Sequence, residues 1–283
     1  MRLCRFDDNR LGLVNGTTVR DVSAALDVLP AFRYPLPAGD VLISNLEQLT
    51  REIRSVAGRS ASVPLKGLTL LSPVANPGKL IGAPVNYQKH LDEVRQNPQL
   101  HHGNDIPVIQ KAGVFLKATS SLVGPGEGIV LRKLDRRNDH EVELAFVIGK
   151  PASNVSRRNA LDYVAGYSIG LDITIRGPEE RSLRKSSDSY TVLGPWLVTP
   201  DELPDPGALD LRVSVNGELR QQSNTSDLIL GVPELIEYAS SFYTLYPGDV
   251  VLSGTPEGVG PIKPGDVIVA SIEAIGTMEV KVR

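Results

Sequence analysis

The sequence predicts a mixed, β-rich α+β protein, and three observations carry that reading. Residues 141–148 alternate with a period of two, as a strand does. Two Asn-Gly pairs, Asn15-Gly16 and Asn216-Gly217, stand beside apolar runs where a hairpin would turn. The 26 glycines and 21 prolines divide the chain into many short apolar runs, leaving few stretches long enough for a helix.

Taken in order, Leu3–Phe6, Leu11–Val14 and Thr17–Arg20 are the first strand candidates. Asp21 or Ser23 is placed to cap a short helix running to Leu29, and residues 46–57 form a second helix candidate. Pro30, Pro35 and Pro37 limit regular structure between them. Pro73, Pro77 and Gly78 break the chain before a new apolar run at residues 79–85, so a boundary is expected near residues 71–78, with a small unit over 1–74 and a larger one over 75–283. In the larger unit Val142, Leu144, Phe146 and Ile148 alternate with Glu141, Glu143, Ala145 and Val147. Further strands are expected at 211–215, 250–253, 267–271 and 278–282, and short helices at 156–164 and 233–240. The phrase Pro-Gly-Asp-Val occurs at 247–250 and again at 264–267, where Pro-Gly suits a type II turn entering a strand.

Composition narrows the function. With 41% hydrophobic residues over 283 positions the chain can bury a sizeable core. Its 30 Lys and Arg against 33 Asp and Glu leave no positive surplus to gather phosphate backbones, so nucleic acid is not the expected partner. No run approaches the roughly 20 apolar residues that cross a bilayer, and the opening residues lack the apolar stretch of a secretory signal. Cys4 is the single cysteine, so no disulfide forms within the chain. A cytoplasmic protein is expected.

The chemistry is expected to sit on three acids. On one strand, Glu141 and Glu143 project from the same face, about 6.5 to 7 Å apart at their origins, while Val142, Leu144, Phe146 and Ile148 face the core. Asp172 follows the apolar stretch 164–171 and can add a third oxygen at a strand end. Three carboxylates without a Cys or His cluster favour a hard divalent ion, Mg²⁺ or Mn²⁺. The alternative is that the acids pair separately with Arg or Lys or face water. His90 and Glu93, three apart, share a face on a short helix, so Glu93 can orient His90 as a base toward water, although a surface histidine would look the same. Lys117, Lys185 and Arg176 are candidates to stabilise or clamp an anion, and Thr255, in the tight loop 254–260, to present polar groups to a bound acid.

These phrases, with Gly166-Tyr167 ahead of Asp172, Gly194-Pro195-Trp196 and Asn216-Gly217-Glu218, occur in an order that closely resembles the fumarylacetoacetate hydrolase superfamily over residues 79–283. The resemblance implies a β-roll with a small N-terminal domain, commonly in a homodimer. It implies Glu141, Glu143 and Asp172 as ligands of Mg²⁺ or Mn²⁺, and His90 and Glu93 as the water-activating pair on a mobile lid. Lys185 takes the place of the catalytic lysine, and Lys117 and Arg176 those of polar groups beside the substrate. Glu179 stands where many relatives carry Gln, on the same substrate side.

The expected reaction is hydrolytic C–C cleavage of an acylpyruvate-like diketo acid such as fumarylpyruvate, with a pyruvate enolate as the leaving fragment. The alternatives are decarboxylation or isomerisation of 2-oxo or 2-hydroxy-diene dicarboxylates in aromatic-compound catabolism, oxaloacetate decarboxylation, or a catalytically idle relative that only binds ligand.

Overall fold

Twelve strands form one large sheet in the computed structural model, which describes all 283 residues. Its main path runs Ser62–Pro64, Thr18–Asp21, Arg10–Asn15, Arg2–Phe6, Thr191–Val198, Val164–Asp172, Val142–Ile148, Val250–Leu252, Leu80–Gly82 and Phe115–Lys117. The N-terminal hairpins are therefore not a separate sheet: Arg2 pairs with Val198 and Leu3 with Leu197, which joins them to the strands of the larger segment. A four-stranded antiparallel sheet of Glu218–Asn224, Asp210–Val215, Val267–Ile272 and Gly276–Lys281 packs against the large one, and a small three-stranded sheet holds Asn138–His140 between Thr174–Ile175 and Gly260–Pro261. The architecture is mixed α+β, and no helix is long and apolar enough to cross a membrane.

The strand Val142–Ile148 is buried on both faces, where the sequence suggested one core face and one acid-bearing face. Val142, Leu144, Phe146 and Ile148 enter the main core with Val213, Ile268 and Ala270 of the four-stranded sheet. Ala145 and Val147 point the other way, into a second core with Leu3, Leu11, Leu193 and Leu197. That second core is roofed by the helix Leu46–Ala57, whose Leu46, Leu49, Ile53 and Ala57 recur at helical spacing and are buried. Glu141 and Glu143 thus occupy the end of a strand whose remaining length is clamped between two apolar layers.

Several local features depart from the sequence expectation for identifiable reasons. Ser23–Val28 is a 3₁₀ helix with Val22 at its cap, because the Asp21 carboxylate is taken by the Ser23 amide and hydroxyl at 2.9 and 2.6 Å. Arg157–Tyr163 is likewise 3₁₀, with no side-chain bond from Ser156 at its cap. Thr191–Val198 is a central strand that Gly194-Pro195 disguises, since proline rarely occupies a central strand. The ladder accommodates it with an irregularity: Tyr167 pairs with Val198 but Ile169 with Gly194, and the Ser168 hydroxyl bonds to the carbonyls of Gly194 and Trp196 at 3.0 Å each. Other expectations hold. Residues 46–57 form the helix, Asn216-Gly217 turns Val215 onto Glu218 with both φ angles positive, and Gly248 and Gly265 take positive φ at the two Pro-Gly-Asp-Val turns.

Because the roof helix and the large sheet share one core, Leu49→Ala is expected to lower the unfolding free energy by about 2–5 kcal/mol within a single cooperative transition. Urea unfolding followed by circular dichroism and by Trp196 fluorescence checks this; a separate early transition seen by only one probe would show that the N-terminal segment unfolds independently.

Candidate metal centre and active site

Six stretches of chain, within 83–106, at 115, 141–143, 172–176, 181–185 and at 255, converge at one cavity. Glu141 stands in the one-residue gap between the strands Asn138–His140 and Val142–Ile148, Glu143 lies two residues on, and Asp172 ends the neighbouring strand, where its amide donates to the Glu141 carbonyl at 2.9 Å. The period of two points both glutamates the same way, and the pairing of Val142 with Leu171 brings Asp172 alongside. All three are buried, and one carboxylate oxygen from each lies within 4.8 Å of the others. A hard divalent cation fits this donor set of buried oxygens with no sulfur or imidazole.

The acids also have cationic partners, so the expectation of separate ion pairs and that of a shared centre both describe part of the site. The Lys185 ammonium donates to Glu141 at 2.7 Å, to Asp172 at 2.6 Å and to the Thr174 hydroxyl at 2.6 Å. Lys117 donates to the other oxygen of Asp172 and to the Tyr190 carbonyl at 2.9 Å. Arg176 forks between Asp139 and Glu141, at 2.7 Å to each. Glu143 has no cation of its own; its one partner is the Gly254 amide at 2.6 Å.

The protonation tendencies follow this division. For Glu141 burial opposes ionisation, but Lys185 and then Arg176 outweigh it and hold the carboxyl well below its usual range. For Glu143 burial raises the pKa well above the ordinary value; Asp172 adds to the shift and Lys185 opposes it. Burial pulls the Lys117 ammonium down, with Asp172 pulling the other way. Glu143 is thus the acid whose charge depends most on an added cation.

Across the cavity, His90 and Glu93 lie on the helix Gln88–Gln96, with Nδ1 of His90 2.8 Å from Glu93 and the imidazole buried. Glu93 also accepts from the Gly258 amide at 3.1 Å, which ties this helix to the loop 254–260. The loop holds Thr255, whose hydroxyl donates to the Val142 carbonyl at 2.9 Å and accepts from Gln221 at 2.8 Å. Gly254 takes φ +96°, and an added Cβ there would stand 2.7 Å from that of Asn86, so glycine lets this amide face Glu143.

His90, Glu141, Glu143, Asp172, Arg176, Lys185 and Thr255 all line the one cavity, and Lys117 reaches it through Asp172. Glu179 does not join them: it is exposed and held by Arg136 through two bonds of 2.8 Å, which keep its carboxyl down at about 2. The sequence reading passed over Asp139, which orients Arg176, Gln221, which holds Thr255, and Arg181 and Arg184, which line the cavity. Asn86, fully buried, bonds through its amide to Leu230 and Ser253 and fixes the segment entering the His90 helix. Arg181 and Lys185 lie four apart on the short helix Arg181–Lys185, which the sequence reading did not anticipate.

Comparison with known proteins places this geometry. Residues 79–283 match the model of the fumarylacetoacetate (FAA) hydrolase C-terminal family. The chain belongs to that family. A maleylpyruvate hydrolase of Aquipseudomonas alcaligenes is 59% identical to it, over 100% of this chain and 99% of the relative. A crystal structure of maleylpyruvate hydrolase from Sphingobium sp. SYK-6 in complex with manganese(II) ion and pyruvate superposes with a TM-score of 0.84 at 40% identity, covering 100% of this chain and 98% of that one. The oxaloacetate tautomerase fahd2 of Xenopus laevis is 34% identical over 98% of this chain and 89% of its own length. Divalent-metal use agrees with both the carboxylate set and the manganese of the Sphingobium structure.

Mn²⁺ or Mg²⁺ at about 100 times its Kd is expected to stabilise the fold by about 2.7 kcal/mol, read as a rise in melting temperature. Glu143→Gln is expected to remove that rise while leaving the metal-free melting temperature close to wild type. An undiminished rise in the variant would take Glu143 out of the metal centre.

Proposed function

We propose that the protein is a divalent-metal-dependent hydrolase of the fumarylacetoacetate hydrolase family that cleaves a C–C bond in acylpyruvate-type diketo acids. The observation that carries this reading is the convergence, in one buried cavity, of three carboxylates, a lysine shared between two of them and a His–Glu pair. The 59% identity to a maleylpyruvate hydrolase over the whole chain supports it.

Glu141, Glu143 and Asp172 would hold Mg²⁺ or Mn²⁺, which when bound supplies Lewis acidity toward the 2-oxo acid end of the substrate. Glu93 holds His90 by its Nδ1, leaving Nε2 to take a proton from water as that water attacks the distal carbonyl. The Gly258 amide, by holding Glu93, fixes the direction of the pair. The C–C bond breaks with its electrons passing to the pyruvate fragment, and the proton returned to that fragment completes pyruvate and the second acid. Lys185, directed by Glu141 and Asp172, stabilises the negative charge that collects on the enolate oxygen of the departing pyruvate fragment. Arg176 keeps Glu141 ionised, Lys117 keeps Asp172 in place, and Thr255 ties the loop 254–260 to the ligand strand. Glu179, bound to Arg136 outside the cavity, takes no part in this scheme.

Residues 1–74 and 75–283 are read as an accessory and a catalytic unit, the β-roll and homodimer of the family are carried over as part of the proposal, and the single buried Cys4 suits a reducing cytoplasm.

The test is a metal-supplemented assay with maleylpyruvate, fumarylpyruvate, simple acylpyruvates, oxaloacetate and 2-hydroxyhepta-2,4-dienedioate, with product analysis. Pyruvate together with the matching acid is expected; carbon dioxide, or an isomer without cleavage, would replace hydrolysis by decarboxylation or tautomerisation. His90→Ala and Glu93→Gln are each expected to lower kcat by about 10²- to 10⁴-fold without weakening Mn²⁺ binding. Retention of full kcat in His90→Ala would remove it as the base.

A further inference from the structure

The cavity carries one cation that no group of the protein contacts through an ion pair or hydrogen bond, the charges of Glu180, Glu141 and Asp172 acting on it only from a distance. Among the basic groups of its lining, Arg176 is taken by Asp139 and Glu141, Lys185 by Glu141, Asp172 and Thr174, and His90 by Glu93. Arg184 donates to the carbonyls of Glu179 at 2.8 Å and Ile175 at 3.0 Å. Arg181 makes neither an ion pair nor a hydrogen bond, although it is half-buried and lines the same cavity. Its guanidinium lies 5.5 Å from the centroid of the Phe115 ring, a cation–π contact, and its N–H donors have no hydrogen-bond acceptor.

We infer that Arg181 is a specificity-determining residue that receives a second carboxylate at the far end of the substrate, so that the site selects dicarboxylic 2-oxo acids over their monocarboxylic counterparts. The inference rests on the proposed function for the identity of the near end. Arg181 and Lys185 stand one turn apart on the helix Arg181–Lys185, and Lys185 lies 5.7 Å from the same Phe115 centroid. Lys185 contacts the metal acids directly while Arg181, whose Cβ at this spacing is about 5–6 Å from that of Lys185, contacts none of them, so the two cations can serve two ends of a short dicarboxylate. The remaining wall, Ala83, Pro84, Val85, Val94, Leu100 and Ile106, is apolar, which suits the carbon chain between two charged ends. A half-buried guanidinium without a partner is unfavourable until an anion arrives, and its planar edge matches a carboxylate through two bonds.

The test uses two uncleavable ligands of one length, 2-oxoadipate and 2-oxohexanoate, which differ only in carboxylate against methyl at the far end. Calorimetric titration of the Mg²⁺-loaded protein is expected to show 2-oxoadipate binding at least about tenfold more tightly, with Arg181→Gln closing most of that gap and Arg181→Lys closing less of it. Steady-state kinetics on fumarylpyruvate and its distal methyl ester is expected to show the same collapse of preference in Arg181→Gln, mainly through KM. No preference in the wild type, or a preference that survives Arg181→Gln in a variant with an unchanged melting temperature, overturns the inference. An Arg181-dependent preference in binding without any C–C cleavage would retain the distal site and sink the proposed reaction instead.

Discussion

Three carboxylates that meet below the protein surface repel one another, and most of the site can be read as a response to that repulsion. Glu141, Glu143 and Asp172 are brought together by the register of two adjacent strands, so they cannot relax by moving apart without breaking the ladder. Lys185 bridges two of them, and Lys117 and Arg176 each hold one. Removing one member of a buried charge pair typically costs about 3–5 kcal/mol. Glu143, supported by an amide alone, is left as the least compensated acid, which makes a bound divalent cation the natural completion of the charge balance.

The scaffold supports this arrangement from both sides of one strand. Alternate residues of Val142–Ile148 enter two different cores, so neither tilt nor slippage is available to it: a shift of one residue would exchange the contents of both. The N-terminal hairpins and the roof helix take part in this, since they supply the second core and extend the sheet that carries the ligands. The proposed acid–base pair, His90 and Glu93, sits instead on a short helix attached through Asn86 and through the contact between Glu93 and Gly258. The three carboxylates thus stand on the central sheet, and the proposed acid–base pair on a helix outside it.

Much of this was legible in the residues alone because it rests on short-range geometry. A period of two places Glu141 and Glu143 on one side whatever surrounds them, and three-residue spacing does the same for His90 and Glu93. The roof helix and the hairpin turns were legible for the same reason. What stayed hidden depends on contacts distant in sequence. Thr191–Val198 looked unlike a central strand because Pro195 interrupts it, and only the irregular pairing opposite Ser168 makes room for that proline. The second buried face of Val142–Ile148 required knowing that the first residues of the chain would fold back over it. Glu179 seemed to belong beside Arg176, and Arg136, distant in sequence, captures it outside the cavity. Arg181 carries no signal of its own; its interest arises from the absence of a partner, a property of the assembled cavity.

The anchoring of Glu143 by the Gly254 amide has a bearing on how the protein is made. Gly254 lies 111 residues after Glu143, so it leaves a ribosome well after Glu143 and after the lysines and arginine around it. The pairing of Leu80–Gly82 with Val250–Leu252 waits on the same late stretch. A nascent chain can therefore collect its acids and their counter-ions but has nothing to orient the third of them, and a message truncated before this point would yield an inert product. Competence in this topology waits on the closing of a long-range contact rather than on the acids themselves.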